Sequence, residues 1–360
     1  MRRPSDDLNQ PPSPEGDLPS PSVASISAVV PVFNAEAWVA PTLSRISEAL
    51  QEAEWGSKEI VAVNDGSTDG TAGTLEDLRL PISLRVVHQV NKGRLLARKR
   101  GIDEAAGDYV LLMDIRVFPD SGSLRFVTDQ LTAHPDRQVW NGHVELERKG
   151  NPYGRFWHAV SRIAWRRYLS KPRLMSYTDE DFDYFPKGTG CFLAPRKFLL
   201  DAYESFISKF DDLEYASDDT ALIRQIARRT PIYLSPEFSF VYHARETFRG
   251  FLHHAYVRGV HFVDGHLDPT NRFFVPLILF LVASPLAVAA VLLWPSLLFS
   301  IPLILTIELI VVLGLRISMA DSLALTALTP PFTLVYGAGI WKGLYMAFRT
   351  LLHRKRTAIL

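Results

Sequence analysis

Residues 58–71 read KEIVAVNDGSTDGT. The run from Lys58 to Val63 favours a β-strand, Asn64-Asp65 ends it, and Gly66 supplies a turn. Ser67, Thr68 and Asp69 are then each able to cap a helix starting near Thr71. A strand that passes straight into a helix is half of a βαβ unit. The same form recurs on both sides of it. SISAVVPVF (25–33), LRVVHQ (84–89) and DYVLLMD (108–114) are further short apolar runs. AWVAPTLSRISEALQEAE (37–54) and RLLARKRGIDEAA (94–106) carry helical spacing between them. Alternation of this kind predicts an α/β fold on a mostly parallel sheet, with strands apolar on both faces because helices cover both sides. Ligands bind such sheets at the carboxyl ends of the strands. The polar clusters fall there: Phe33-Asn34, Asn64-Asp65-Gly66 and Asp114-Ile115-Arg116.

Capping alone does not explain an acid placed before glycine at a strand end. A carboxylate at Asp65 can accept from a nucleobase N–H, and turn amides can face phosphate. Composition narrows the partners. The chain of 360 residues holds 39 Lys+Arg and 39 Asp+Glu, so it lacks the basic excess of a general nucleic-acid binder. A single cysteine, Cys191, excludes an intrachain disulfide framework and a Cys-rich zinc module, and nothing near it in sequence would activate a thiolate. His253, His254, His261 and His266 lack zinc spacing.

Four segments in series carry a resemblance: Val29–Glu36 (VVPVFNAE), Val61–Thr71, Asn91–Gly101 (NKGRLLARKRG) and Gly107–Arg116 (GDYVLLMDIR). In this order they resemble the family-two glycosyltransferases of the GT-A fold, whose strand ends read P-x-aromatic-N and D-D/N-G-S-x-D-x-T. That family continues with an N-x-G-x-x-x-A-R-N helix and a strand ending D-x-D. The match covers about residues 25–260. It implies a nucleotide-sugar donor (UDP-, GDP- or dTDP-linked) gripped by Pro31, Val32, Phe33, Asn34, Glu36, Asp65, Gly66, Ser67, Gly93, Arg94, Arg98, Asp114, Arg116 and Gly190. Gly190 stands in the small-residue segment Lys187–Arg196, which resembles the loop under the donor sugar. Asp218-Asp219 resembles the family's E-D pair at a helix start, which makes Asp219 the base for an inverting, hexosyltransferase-like displacement. The plain alternative for that pair is an acidic helix start favoured by the dipole.

The family's D-x-D brackets a Mg2+ or Mn2+ ion, and His243 in VYHAR (241–245) resembles a late family histidine that assists it. The expected metal residues are therefore Asp114 and His243. This chain departs from the pattern, because Arg116 stands where the second Asp belongs. Either Arg116 itself neutralises the diphosphate, or Asp114 alone holds the ion with phosphates and water, or the site is inactive.

Residues 1–22 hold six prolines and four serines with no apolar run, and read as a disordered tail without a cleavable signal. Residues 23–265 form the catalytic domain and 266–360 the membrane region. From 273 to 315 the only charge is Glu308. Spans are expected at 273–294 and 297–315. The stretch 323–348, interrupted by Pro330-Pro331, is read as a third span or a broken interfacial element, with the second favoured. Glu308, mid-span, either makes a polar contact to a lipid substrate or a neighbouring helix, or is a protonated Glu bonded to a nearby helix. From 150 to 178 basic residues alternate with aromatics and no acid intervenes, as on a helix lying on anionic lipid; the alternative packs those aromatics into the core. Phe248–Arg258 repeats the pattern.

Together these readings predict a multi-pass cell-membrane enzyme of cell-envelope polysaccharide synthesis, with a cytoplasmic catalytic domain and a lipid-linked or other glycan acceptor. A polyprenyl-phosphate sugar synthase is the alternative enzyme, and a degenerate nucleotide-sugar-binding scaffold the alternative of another class. The Q-x-x-R-W segment of processive synthases is missing.

Overall fold

The computed structural model describes residues 20–357; the tail at 1–19 lies outside the described residues. The side chains of Asp218 and of 355–357 also lie outside them. The first half alternates β1 (Ser25–Val32), α1 (Glu36–Glu52), β2 (Ser57–Asp65), α2 (Thr71–Asp77), β3 (Ser83–Gln89), α3 (Arg94–Glu104) and β4 (Tyr109–Met113). Then come β5 (Val117–Pro119), α4 (Ser123–Ala133), β6 (Trp140–Asn141), β7 (His143–Leu146), α5 (Pro152–Ala164), α6 (Arg166–Leu169) and β8 (Met175–Tyr177). The domain closes with β9 (Cys191–Pro195), α7 (Arg196–Glu204), α8 (Asp218–Ala227), β10 (Ile232–Leu234), β11 (Ser239–Tyr242) and α9 (Phe248–His266).

The main sheet has the order β3-β2-β1-β4-β9-β6-β10-β8, and a small sheet has the order β5-β11-β7. The β3-β2-β1-β4 block is wholly parallel, as the alternating pattern predicts. β9 enters antiparallel to both β4 and β6. Two cores form, one per face. Val39, Leu43 and Ile46 of α1 pack with Leu124 and Val127 of α4 on one side. Leu95 and Ile102 of α3 pack with Leu199, Leu222 and Ile226 on the other. β3 departs from the expected two-sided burial: it is an edge strand and alternates exposed with half-buried positions.

Three helices after the domain are long and apolar enough to cross a membrane. They include α10 (Phe274–Leu293), a segment from 295 to 314 whose main helix is α11 (Ile301–Gly314), and α12 (Met319–Thr357). The break expected at Pro330-Pro331 does not occur, and α12 runs through both prolines. Its packing outweighs the lost amide bonds. At the α9–α12 crossing, a Cβ on Gly259 would lie 2.3 Å from the Tyr336 carbonyl oxygen, and one on Gly339 would lie 2.2 Å from the Tyr256 carbonyl oxygen. Only glycines allow backbones this close. Glu308 bonds a neighbouring helix, because the Thr329 hydroxyl of α12 donates to it at 2.7 Å.

The aromatics of α5 turn inward. Phe156 and Trp157 are buried against Phe251 of α9 and Phe332 of α12 rather than facing lipid. Asp321, 1% exposed at the head of α12, lies 3.3 Å from Arg148, 3.2 Å from Arg155 and 3.2 Å from His158. α5 therefore clasps the head of α12 to the domain.

Candidate active site

The parallel strands deliver the predicted groups to one edge. Val32 pairs with Asn64, Asp65 with Gln89, and Asp114 directly follows Met113 at the end of β4. The turns beyond the strands brace one another. Asn34, at φ 45°, accepts from the Thr68 amide at 2.8 Å, and its own amide donates to the Ser67 hydroxyl at 3.0 Å. Glu36 accepts from the Gly70 amide at 3.2 Å. These residues organise the rim. Pro31 and Val32, expected to line the nucleotide pocket, are sealed inside the sheet because they belong to its central strand. Phe33, 48% exposed, is the part of that segment left as a stacking surface.

Asp65 was expected to hold the nucleobase. Its buried carboxylate accepts from Gln89 Nε2 at 2.7 Å, the Lys92 amide at 2.9 Å and the Gly93 amide at 2.9 Å. It therefore shapes the 91–93 loop that leads into α3. Gly66 and Gly93 sit at φ 71° and 85°, and a Cβ on Gly66 would lie 2.6 Å from the Asn91 nitrogen.

That loop launches α3 so that Arg94 and Arg98 face the strand ends. Arg98 is 0% exposed, donates to Asp114, and carries its Nη1 3.9 Å from Asp219 Oδ1. Asp219 accepts from both the amide (2.9 Å) and the hydroxyl of Thr189. A Cβ on Gly190 would meet Asp114 Oδ2 at 3.0 Å, so this small residue lets the 188–190 loop close on the carboxylate. Segments up to 121 residues apart (98 to 219) thus converge on one guanidinium. Burial pushes the Asp219 carboxyl up, but Arg94, Arg98 and the Thr189 bonds pull it down harder, well below the usual carboxylate range.

Residues 27–200 match the model described as glycosyl transferase family 2. The chain carries a glycosyl transferase family 2 domain. Among curated relatives, it is 27% identical over 134 residues to poly-beta-1,6-N-acetyl-D-glucosamine synthase of Staphylococcus epidermidis, covering 37% of this chain and 32% of that one. It is 37% identical over 94 residues to dodecaprenyl-phosphate galacturonate synthase of Rhizobium johnstonii, covering 25% and 27%. The chain thus spans about a third or less of these two relatives. A mannosyltransferase from Pyrobaculum calidifontis, solved with GDP-Man and Mn2+, superposes with a TM-score of 0.52 at 18% identity over 88% of this chain and 90% of that chain. At that identity the likeness is one of fold, and the fold is GT-A.

A further polar group that acts on Asp219 lies outside the sequence motifs. His254, Arg258 and His261 of α9 follow i, i+4, i+7 spacing, a polar stripe on a largely apolar helix that could have signalled a site. Arg258 Nε donates to His254 Nε2 at 3.1 Å. Burial and the cations Arg94, Arg258 and Arg98 push His261 down to about 3, while Asp219 opposes them. A neutral imidazole therefore stands in the field of the Asp219 carboxylate. Thr189 and Asp264 were also missed. Asp264 accepts from the Ser217 amide (2.7 Å), the Lys209 amide (2.6 Å) and the Ser208 hydroxyl (2.8 Å), which fixes the approach to α8. Cys191 is buried and its thiol is pushed up by burial and by Asp114, consistent with an inert core residue.

The groups at the expected metal position are engaged by other side chains. The Arg116 guanidinium lies 4.3 Å over the Trp38 ring, and the His243 ring packs 4.4 Å from Phe118 and 5.2 Å from Trp38. Burial and Arg245 lower Arg116 to about 10, so it remains a cation at neutral pH. Among the described residues, no group of three or more His, Cys, Asp or Glu is placed to hold an ion. Asp114 is engaged by Arg98, and a fixed cation stands at the second carboxylate position. This donor set does not fit a protein-built Mg2+ or Mn2+ site.

Proposed function

We propose that this chain is a membrane-anchored, inverting glycosyltransferase that moves a sugar from a nucleotide-sugar donor to a hydroxyl of a lipid-linked glycan. The observation that carries this reading is the Asp114–Arg98–Asp219 constellation at the carboxyl ends of the parallel strands. Asp219 is the base. It takes the proton of the acceptor hydroxyl as that oxygen attacks the anomeric carbon and the bond to the diphosphate breaks. Arg94 and Arg116 meet the charge that develops on the leaving diphosphate, and bidentate guanidinium–phosphate pairing suits them to it, while buried Arg98 holds Asp114 beside Asp219. Phe33 offers a face to the nucleobase.

The low resting affinity of Asp219 for protons has a consequence. A carboxylate held down by arginines is a weak base until something competes for them. The donor diphosphate does so, and its binding lifts the Asp219 pKa towards the working range. Donor binding thus arms the base and guards against idle chemistry. Calorimetry with UDP-, GDP- and dTDP-sugars, followed by transfer to membrane lipid extracts, tests the reading. Binding with turnover supports it, and binding without turnover under any condition favours a scaffold.

A second reading follows from the likeness to the dodecaprenyl-phosphate synthase: the acceptor is a prenyl phosphate. A phosphate oxygen needs no base, so Asp219→Asn separates the two, sparing transfer to phosphate and disabling transfer to a hydroxyl.

A further inference from the structure

The sequence of α12 turns from apolar to basic at its end, where His353 and Arg354 follow Leu351-Leu352. With Lys342 and Arg349 before it, this gives the last turns of a largely apolar helix a positive charge. Beside it, α10 and α12 leave a groove of about 640 Å³. Leu281, Trp341, Leu344 and Phe348 line its walls, and Lys209 and Arg354 stand among its lining residues. The Trp341 indole N–H donates to the Ser284 hydroxyl of α10 at 3.1 Å, which fixes the ring in place. Arg354 donates to the Ser208 carbonyl at 3.3 Å and lies 3.7 Å from Asp211, so it is tied to the loop that carries Lys209.

An apolar trough with cations beside it complements an amphiphile with a negative head. Neither water nor a free anion suits it, because water finds few polar partners along the walls and a free anion leaves them bare. We propose that the groove binds an anionic glycerophospholipid, with an acyl chain between α10 and α12 and the headgroup phosphate on Lys209 and Arg354. Lipid binding here goes beyond the transfer chemistry, and its effect on rate rests on the reading of Asp219 as the base. The position of the groove gives it a regulatory role. The Lys209 amide shares the Asp264 carboxylate with the Ser217 amide, two residues before Asp219. A headgroup that fixes Lys209 therefore steadies the segment that presents the base.

Trp341 reports occupancy directly. The full chain is placed in vesicles that contain either brominated-chain phosphatidylglycerol or brominated-chain phosphatidylcholine at equal fractions. The Trp341 signal is the fluorescence that Trp341→Phe removes. Phosphatidylglycerol should quench it with an apparent affinity roughly five- to thirtyfold higher, the range that one or two cations give near an anionic surface. Lys209→Ala with Arg354→Ala should abolish the preference and flatten the rise of transferase rate with phosphatidylglycerol. Equal quenching by the two lipids overturns the proposal, as does a preference that survives in the double variant. Displacement by undecaprenyl phosphate but not by unbrominated phosphatidylglycerol also overturns it, in favour of a carrier-lipid site. The comparison of lipids on the chain with native Lys209 and Arg354 stands even if the double variant does not fold.

Discussion

Asp219→Asn is the perturbation most closely tied to the chemistry. The asparagine oxygen can keep the bond from the Thr189 amide, 2.9 Å long in the wild type, so the head of α8 should hold its shape. What is lost is the proton acceptor. General-base removal costs about 10²- to 10⁴-fold in rate, or about 2.7–5.5 kcal/mol of barrier. Donor binding should respond differently. A carboxylate 3.9 Å from the Arg98 guanidinium attracts it by about 4 kcal/mol at an effective dielectric of about 20. Because the Asp219 side chain is 39% exposed, solvent screening reduces this to about 1 kcal/mol. Removing the carboxylate leaves Arg98 on Asp114 and takes a negative charge away from the diphosphate, so donor Kd should stay level or fall by up to about fivefold, the equivalent of that ~1 kcal/mol. The assay is single-turnover transfer to a glycan-lipid acceptor, with calorimetric donor Kd measured alongside. A rate loss below about tenfold, under 1.4 kcal/mol, would refute the base assignment. A donor Kd weakened in step with the rate would show that Asp219 serves binding instead.

If guanidinium groups do the work of the cation, activity should persist in EDTA with less than about a tenfold loss, and Arg116→Asp should make the rate depend on added Mn2+; full loss in EDTA that Mn2+ restores in the wild type would contradict this. His261 and His266, pushed down to about 3 and about 4 chiefly by burial, are neutral in the folded chain, whereas the unfolded chain binds protons near 6.5. Stability should therefore fall as pH drops from about 6.5 towards 4, by up to ~2.7 kcal/mol per pH unit with both engaged, and His261→Gln with His266→Gln should flatten the thermal-midpoint profile. Asp321→Asn leaves Arg148, Arg155 and His158 around an uncharged group. It should cost about 1–3 kcal/mol after allowing for the partial exposure of both arginines, read as a lower thermal midpoint and faster proteolysis between α11 and α12; an unchanged midpoint would show the clasp to be inert.

The parts of this protein written locally were legible from its sequence. Residues 58–71 announce a strand, a turn and a helix within fourteen positions, and the sheet follows from repeats of that pattern. Less visible was what each motif residue touches. Asp65, Asn34, Glu36 and Ser67 spend their polar atoms on neighbouring loops, a use that depends on where the next strand ends. The stripe on α9 was readable as a pattern, but its partner lies more than thirty residues upstream at Asp219, and only the fold brings them together. The same holds for α5. Its alternating basic and aromatic residues define two faces without saying whether lipid or α12 covers the apolar one. Pro330-Pro331 misled because local rules forbid what tertiary packing on α9 sustains.

On the proposed function, a nucleotide sugar lies at the carboxyl ends of β1, β2 and β4 with its reacting carbon turned towards Asp219. A structure of the full chain in nanodiscs with a bound nucleotide sugar measures this directly. The diphosphate should lie within hydrogen-bond reach of Arg94 or Arg116, and the anomeric carbon should face the Asp219 carboxylate with room for one acceptor oxygen between them. A donor bound away from Asp65 and Asp114, or an Asp219 side chain turned from the sugar, would contradict the account.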